Sequence, residues 1–407
     1  MYSKIIEDPF PGGIEIAFGA GDNRQRLFYE KVTWEIGGKR LGLRYGENPD
    51  QPAALYRLAN GNLSIGDVTT LEPGKYLMSD VELLQSGKHP GKINITDVDT
   101  ALGMLRYFAD TPAAIVVKHN NPAGAAIGES ISDAYHRALM ADRIAAFGGA
   151  VVCNRAIDQE TATEIANGYT EVVAAPEYND GCFEILKKRK NLRIMRIRRI
   201  DRLSEYTHTR TIDYKSLIDG GLIVQWSFVP KQEIDSFTLA KAKRGDEEVS
   251  IDREPTESEL ADMMFGWLVE SGVTSNSVLY VKDGVTLGIG TGEQDRVGVA
   301  EIAKQKAFRN AADRICFYEF GEGWLECNDP DRRRYVNERL EAHPVLEGST
   351  MISDAYFPMR DGVEVGLKDG VSSILQPGGS IRDAEIIDAC NEYRATMLYT
   401  NQRSFRH

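Results

Sequence analysis

A lysine next to a histidine at the end of an apolar run is the first place in this chain where residue types suggest chemistry. Ala113 to His119 reads AAIVVKH, and Asn120, Asn121, Pro122, Ala123 and Gly124 follow. A lysine leaving a hydrophobic strand sits where loss of water lowers its proton affinity. A histidine titrates near neutrality and can serve as a base. The same pair also reads as a solvated lysine beside a hydrogen-bonded histidine. In LGLRYGENPDQ, Leu41 to Gln51, Arg44 offers a fork for a phosphate or carboxylate and Tyr45 adds a hydroxyl; an ordinary surface loop is the plain alternative. GIGTGEQDR, Gly288 to Arg296, has the look of a glycine-rich phosphate loop ending in a cation. It lacks both the GxGxxG spacing and the following acidic strand of a dinucleotide site. Asn276, between Ser275 and Ser277, can orient a substrate amide through donor and acceptor together, or simply cap a helix end. SDAYFPMRDG (353–362), QPGGSIRD (376–383) and TNQRSFRH (400–407) combine aromatic, Arg and Asp residues suited to a planar ligand, although a terminal stretch is often frayed.

These residues need elements to hold them. Ala113 to His119 is a buried strand by its apolar run, and NNPAGAA reads as a turn with helix-starting character. Ser130 to Asp142 reads as a helix with Ser130 as N-cap, and turn and strand return from Phe147. Thr256 and Glu259 form a capping-box pattern after Pro255. Leu260, Met263, Met264, Trp267 and Leu268 then make a stripe expected to face a core rather than a cofactor. Asp283-Gly284, between Val278–Lys282 and Val285–Gly290, predicts a hairpin. A helix is expected over Val297 to Phe308. SSILQ, PGGS, RDAEIIDACNEY and ATMLYT read as strand, turn, helix and strand. Lys231 to Pro255 has little periodicity and suits a connector, with a boundary within 200 to 255. The pattern is α/β layering, with a hint of two related units.

Composition narrows the class. The chain has 407 residues, 42% hydrophobic and 27% charged, a length that fits two domains. No apolar run approaches about 18 residues, so no membrane span is expected. MYSKIIEDPFPGG is too acidic for a signal peptide, which leaves a cytoplasmic location. Cys153, Cys182, Cys316, Cys327 and Cys390 are scattered in sequence with no CxxC pair, and the six histidines form no HExxH, so reduced thiols and no zinc are expected. A net charge of −13 argues against general nucleic-acid binding. Lys187 to Arg202 dissents, with nine basic residues in sixteen. Its plain reading is a helix C-terminus running into an edge strand guarded by cations. A phosphate or RNA patch is the alternative.

Taken in order, LRYGENPxQ, VKHxNPAGAA, AFGGAVV-N-AID, SNSVLY-KDG-T-GIG-G-xDR, GS-M-SDA-FP-RDGV, ILQPGGSIRD and a terminal R-x-FRH resemble the 5-aminoimidazole-4-carboxamide ribonucleotide (AICAR) formyltransferase domain of the bifunctional purine-biosynthesis proteins. The resemblance runs from about Arg40 to His407. It implies two cytidine-deaminase-like three-layer α/β units without the deaminases' zinc, here over residues 36–225 and 226–407 after an N-terminal extension of 1–35. It also implies a homodimer with active sites at the interface, and 10-formyltetrahydrofolate as co-substrate. Because the residues before Arg40 are too few for an inosinate (IMP) cyclohydrolase domain, a monofunctional transferase is expected, with a separate cyclohydrolase as a partner.

Site roles carry over by motif. Lys118 and His119 match the catalytic pair, Asn276 the residue that orients the reacting groups, and Asp361 a positioning carboxylate. Arg44, Tyr45 and Arg403 match phosphate contacts. Phe147, Gly148, Gly149, Arg296, Tyr356 and Phe357 match other AICAR contacts. A potassium ion is implied near the SNS segment, with Ser275, Ser277 and Asp354 as ligands. Asp50 stands where the family usually has His, and Gln402 and Ser404 alter the usual tail. Rival readings are a non-catalytic nucleotide or folate sensor, a nicotinamide oxidoreductase using GIGTG, and a nucleic-acid module resting on Lys187 to Arg202.

Overall fold

A computed structural model describes residues 8–72 and 74–407. The first seven residues of the extension expected over 1–35 therefore lie outside the described residues. Contacts gather the chain into two units: residues up to Asp110 with Gly149–Val229, and Thr111–Gly148 with Pro230–His407. The segment bearing Lys118 and His119 thus packs with the C-terminal unit. Among the described residues no helix is long and apolar enough to cross a membrane.

In the first unit, Ala150–Cys153, Val172–Ala175 and Arg193–Arg196 run parallel, and Glu82–Gln85 pairs antiparallel with the last. The first two strands are buried at every position, as strands covered on both faces must be. Gly13–Phe18, Gln25–Lys31 and Tyr56–Gly61 form a separate antiparallel sheet over a small core of Leu27, Leu63 and Val68. The basic stretch departs from its expected edge position. Arg193–Arg196 lies between two strands, and its cations are paired: Arg193 with Glu171, Arg196 with Glu82 and Glu177, Arg199 with Glu205. Those acids are distant in sequence from the arginines they meet, except Glu205, so the run looked unbalanced.

The second unit has a mixed sheet in the order Thr238–Leu239, Thr396–Tyr399, Ser373–Gln376, Thr350–Ser353, Val278–Lys282, Val285–Gly290, Asn121–Ile127, Ala113–Lys118. Ser373–Gln376 is parallel to both its neighbours, and the remaining pairings are antiparallel. The core joins Val278, Tyr280, Met351 and Ile374 to helix residues Val299, Ala303, Val363 and Ile387. Along the chain one order of elements occurs twice, a hairpin (113–127, then 278–290) followed by three parallel strands (150–196, then 350–399).

Several expectations hold: the strand over Ala113–Lys118, the Ser130-capped helix Ile131–Ala141, and the hairpin through Asp283 and Gly284, both at positive φ. Others need correction. NNPAGAA is a strand, Asn121–Ile127, paired back on Ala113–Lys118. Its small residues serve close approach to a helix, since a Cβ on Gly124 would lie 2.1 Å from the Ala138 carbonyl oxygen. The first two glycines of GIGTG do likewise: a Cβ on Gly288 or Gly290 would lie 2.2 Å from the carbonyl oxygens of Ala303 or Val299. They let the helix Arg296–Phe320 lie on the strand, which accounts for them without a phosphate loop. That helix runs twelve residues beyond Phe308. The expected connector, Lys231 to Pro255, contains the strand Thr238–Leu239 and a hairpin of Lys241–Arg244 with Glu247–Ser250.

The capping box forms as read. Thr256 Oγ1 accepts from Glu259 N, and Glu259 returns a bond to Thr256 N at 2.8 Å. Burial alone would raise the Glu259 carboxyl, but a bidentate bond from Arg253, with further bonds from Thr256 and Ser372, outweighs it and holds the group at about 2. A depressed carboxyl stabilises the fold above its unfolded value, and that contribution is lost as pH falls through the folded value. Unfolding followed by circular dichroism should show Glu259→Gln less stable than wild type near neutrality. The gap should close as pH drops from about 4.5 towards about 2; a gap constant over that window would contradict the assignment.

Candidate active site

The Ala113–Lys118 and Asn121–Ile127 strands are joined by a two-residue turn, His119 and Asn120, with φ of 56° and 60°. Such a turn matches the twist of its strands, and it presents the exposed His119 at the tip. Lys118 Nζ donates to the Phe147 carbonyl at 2.6 Å, so the lysine is held against the turn where Gly148 has φ of 76°.

Asn121 is the residue that sequence reading passed over. Its Nδ2 donates to the His119 carbonyl, while its Oδ1 accepts from Thr274 N at 2.8 Å and from Thr291 Oγ1 at 3.1 Å. One carboxamide therefore ties the Lys-His tip to the segment before SNS and to the glycine-rich turn. A polar residue at the foot of a tight turn was the available signal.

Asn276, joined to Ser275 by a cis peptide bond, uses both ends of its amide: Nδ2 donates to the Gln294 carbonyl, and Oδ1 accepts from Arg296 Nη2 at 2.9 Å. Arg296 is buried. It donates to Asn276, to the Ser277 carbonyl, to Ser353 Oγ and to Asp354. The structure thus places Arg296 beneath Asn276 as its support. Ser277 Oγ donates to Glu270, which is fully buried. Glu270 Oε2 and Asp354 Oδ2 are buried oxygens with no hydrogen-bond partner. Burial first, and then the neighbouring Asp354 charge, push the Glu270 carboxyl well above the usual range.

The tail is tied down rather than frayed. Ser404 N donates to the Asp354 carbonyl, and Ser275 N donates to the Arg406 carbonyl at 2.9 Å. Arg406 N donates to Ser275 Oγ, and its guanidinium reaches the carbonyls of Asn120 and Gly272. Arg403 is exposed, its guanidinium 4.9 Å from the Phe405 ring centroid. Tyr356 and Asp361 are exposed, the latter in the first turn of the helix Arg360–Leu367, whereas the Phe357 side chain is in the core. Phe147 is exposed.

The hydrogen bonds described here bring together Lys118, His119, Asn276, Arg296, Ser275, Ser277 and Asp354. Of the other expected residues, Arg44, Tyr45 and Gly149 belong to the first unit. There Arg44 is buried with its guanidinium 5.0 Å from the Tyr45 ring centroid, and the Gly149 carbonyl accepts from Glu171 N. A cleft of about 680 Å3 in the first unit is lined by Trp34, Tyr76, Glu82 and Arg198, among others, and by none of the residues expected to act.

Mixed α/β sheets, with a lysine–histidine hairpin tip bonded to an Asn-bearing loop, define a class of protein. The chain belongs to the AICARFT/IMPCHase bienzyme family, whose model matches residues 14–306. It is 35% identical to the bifunctional purine biosynthesis protein PurH of Oceanobacillus iheyensis over 92% of this chain and 60% of that protein. It is 37% identical to PurH of Acidithiobacillus ferrooxidans over 95% of this chain and 62% of the relative, and 35% identical to PurH of Magnetococcus marinus over 95% and 63%. The chain therefore spans about three-fifths of the length of these relatives.

Asn121→Ala should leave the Thr274 N–H without its acceptor, while Thr291 Oγ1 keeps its bond to the Thr274 carbonyl. A buried donor left unpaired costs about 1–3 kcal/mol. Denaturant unfolding should show a loss of that order, largely restored in Asn121→Asp, which keeps an acceptor oxygen. A wild-type midpoint for Asn121→Ala would remove the junction from the account.

Proposed function

We propose that this chain transfers the formyl group of 10-formyltetrahydrofolate to the 5-amino group of AICAR, giving formyl-AICAR and tetrahydrofolate in purine biosynthesis. The observation that carries the reading is the Lys118–His119 tip bonded through Asn121 to the segment that presents Asn276, in a chain of this family. The seven ordered motifs point to the transferase part of the bifunctional relatives. The twice-occurring order of hairpin and parallel strands favours two cytidine-deaminase-like units. The reading also implies a homodimer.

The residues suit the reaction. The 5-amino group is conjugated with the ring and carboxamide, so it attacks the formyl carbon only as its proton leaves. His119, exposed at the hairpin tip, takes that proton. As the new C–N bond forms, charge gathers on the formyl oxygen, and as the bond to N10 breaks that nitrogen needs a proton. Lys118 serves one of these needs, and a fixed cation at a developing oxyanion contributes about 3 kcal/mol. Asn276, braced by Arg296, orients the reacting groups. Tyr356 and Asp361 are exposed to solvent and so open to a ligand. Phe357, with its ring in the core, contributes through position rather than contact.

The reading includes a potassium ion beside Ser275, Ser277 and Asp354. In its favour, Arg296 pairs with Asp354 while the neighbouring Glu270 is met by the Ser277 hydroxyl, and each carboxyl keeps a buried oxygen without a partner. A monovalent cation there would take up these two oxygens, favour the ionised form of Glu270 and hold the SNS segment.

Purified protein given AICAR and 10-formyltetrahydrofolate should release tetrahydrofolate and form formyl-AICAR, and inosinate read in the same mixture scores cyclohydrolase separately. His119→Ala should lower turnover about 10²–10⁴-fold, the usual worth of a proton transfer, with AICAR affinity kept. Unchanged turnover would sink the role. Arg403→Ala should raise the AICAR Kd, and a loss confined to turnover would contradict phosphate binding. Turnover should also rise when potassium replaces tetramethylammonium in the buffer, and Glu270→Gln should blunt that response. Equal rates in both salts would remove the ion.

A further inference from the structure

The cysteines are scattered in sequence but not all scattered in space. Cys316, in the last turns of the helix Arg296–Phe320, and Cys327, beyond its end, are both fully buried, and Glu322 lies between them in the chain. One ligand atom from each falls within 4.8 Å of the other two. We propose that Cys316, Glu322 and Cys327 form a binding site for a divalent cation that prefers thiolate ligands, of the zinc class.

Three observations carry this. The first is distance. Two sulfurs bound tetrahedrally at about 2.3 Å from zinc stand roughly 3.8 Å apart, so the three groups need to close by only about 1 Å. The second is connection. Cys316 and Cys327 sit in one buried cluster with the Glu322 carboxylate beside them. The groups already converge on one point. Arg332 holds Glu322 Oε1 at 2.8 Å, the Arg333 Nε donates to the Cys327 carbonyl, and both arginines lie over aromatic rings, Phe320 and Trp324. The loop that carries the ligands is therefore fixed on both sides. The third is need. The cysteines belong to a satellite core whose other fully buried members are Ala312 and Val336, and Val336 is the only buried residue of the helix Pro330–Ala342. A core that small contributes little, and small cores are commonly braced by a metal or a disulfide.

Zinc-class ions bind cysteine as thiolate, so each thiol that enters the site gives up its proton on binding, while Glu322 brings a carboxylate already bonded to Arg332. Glu322 is partly exposed and marks the side from which the ion enters, with solvent completing the coordination. The cation would clip the end of the long helix to the helix that follows. The inference is independent of the formyl-transfer reading.

The test uses the reduced full-length chain, stripped with chelator and titrated with Co²⁺. Expected are one ion bound, thiolate-to-cobalt charge-transfer absorption, and proton release at neutral pH in weak buffer. Zn²⁺ should bleach the band and slow alkylation of Cys316 and Cys327, read by peptide mass spectrometry. Cys327→Ser should abolish the band, Glu322→Gln should weaken binding at least about tenfold while keeping the fold, and Cys153→Ser should change nothing. Absence of the band in wild type overturns the proposal, as does a band that survives Cys327→Ser. Should Cys327→Ser fail to fold, alkylation of wild type decides: zinc that gives neither cysteine protection overturns the proposal.

Discussion

A guanidinium withdrawn from water needs hydrogen-bond acceptors around it, and Arg296 organises its unit by gathering them. It opens the long helix, yet its side chain turns back to the Ser277 carbonyl, Ser353, Asp354 and Asn276. A buried ion pair is weak evidence of net stability, but removing one member typically costs 3–5 kcal/mol because the other charge is stranded. Arg296 and Asp354 are bound by that asymmetry. Around them the SNS loop, the end of the Thr350–Ser353 strand and the tail through Ser404 all take their positions.

The site extends upward from this pair. Asn276 is braced from below, Ser275 is clasped by Arg406, and Asn121 links the neighbouring Thr274 to the hairpin tip. Segments from both ends of the unit therefore converge on one loop, and each contributes main-chain groups as well as side chains. A site built this way keeps its geometry through backbone bonds that few substitutions can imitate.

What the sequence made legible were local devices. The Thr256–Glu259 box, the Ser130 cap, the Asp283-Gly284 turn and the AAIVVK strand each have their cause within a few residues. The strand over NPAGAA did not, because proline, glycine and alanine have poor strand propensity, and only the helix pressed against Gly124 explains them. The arginine-rich Arg193–Arg196 strand tolerates an interior position because Glu82, Glu171 and Glu177 meet it. The helix after Arg296 outran its expected end because its last turns pack against Pro330–Ala342. At the candidate site, the residue types that could do chemistry were visible but their supports were not. Asn121 and Arg406 act through partners more than a hundred residues away, which no local pattern encodes.

The bond from Arg406 to the Asn120 carbonyl spans 286 residues. Chains are synthesised at about 5–20 residues per second, so the hairpin tip emerges from the ribosome roughly 15 to 60 seconds before the group that closes over it. During that interval the apolar strand bearing Lys118 has left the tunnel while most of its own sheet is still unmade. Until those strands emerge, this apolar run is an exposed surface of the kind that invites aggregation of a nascent chain.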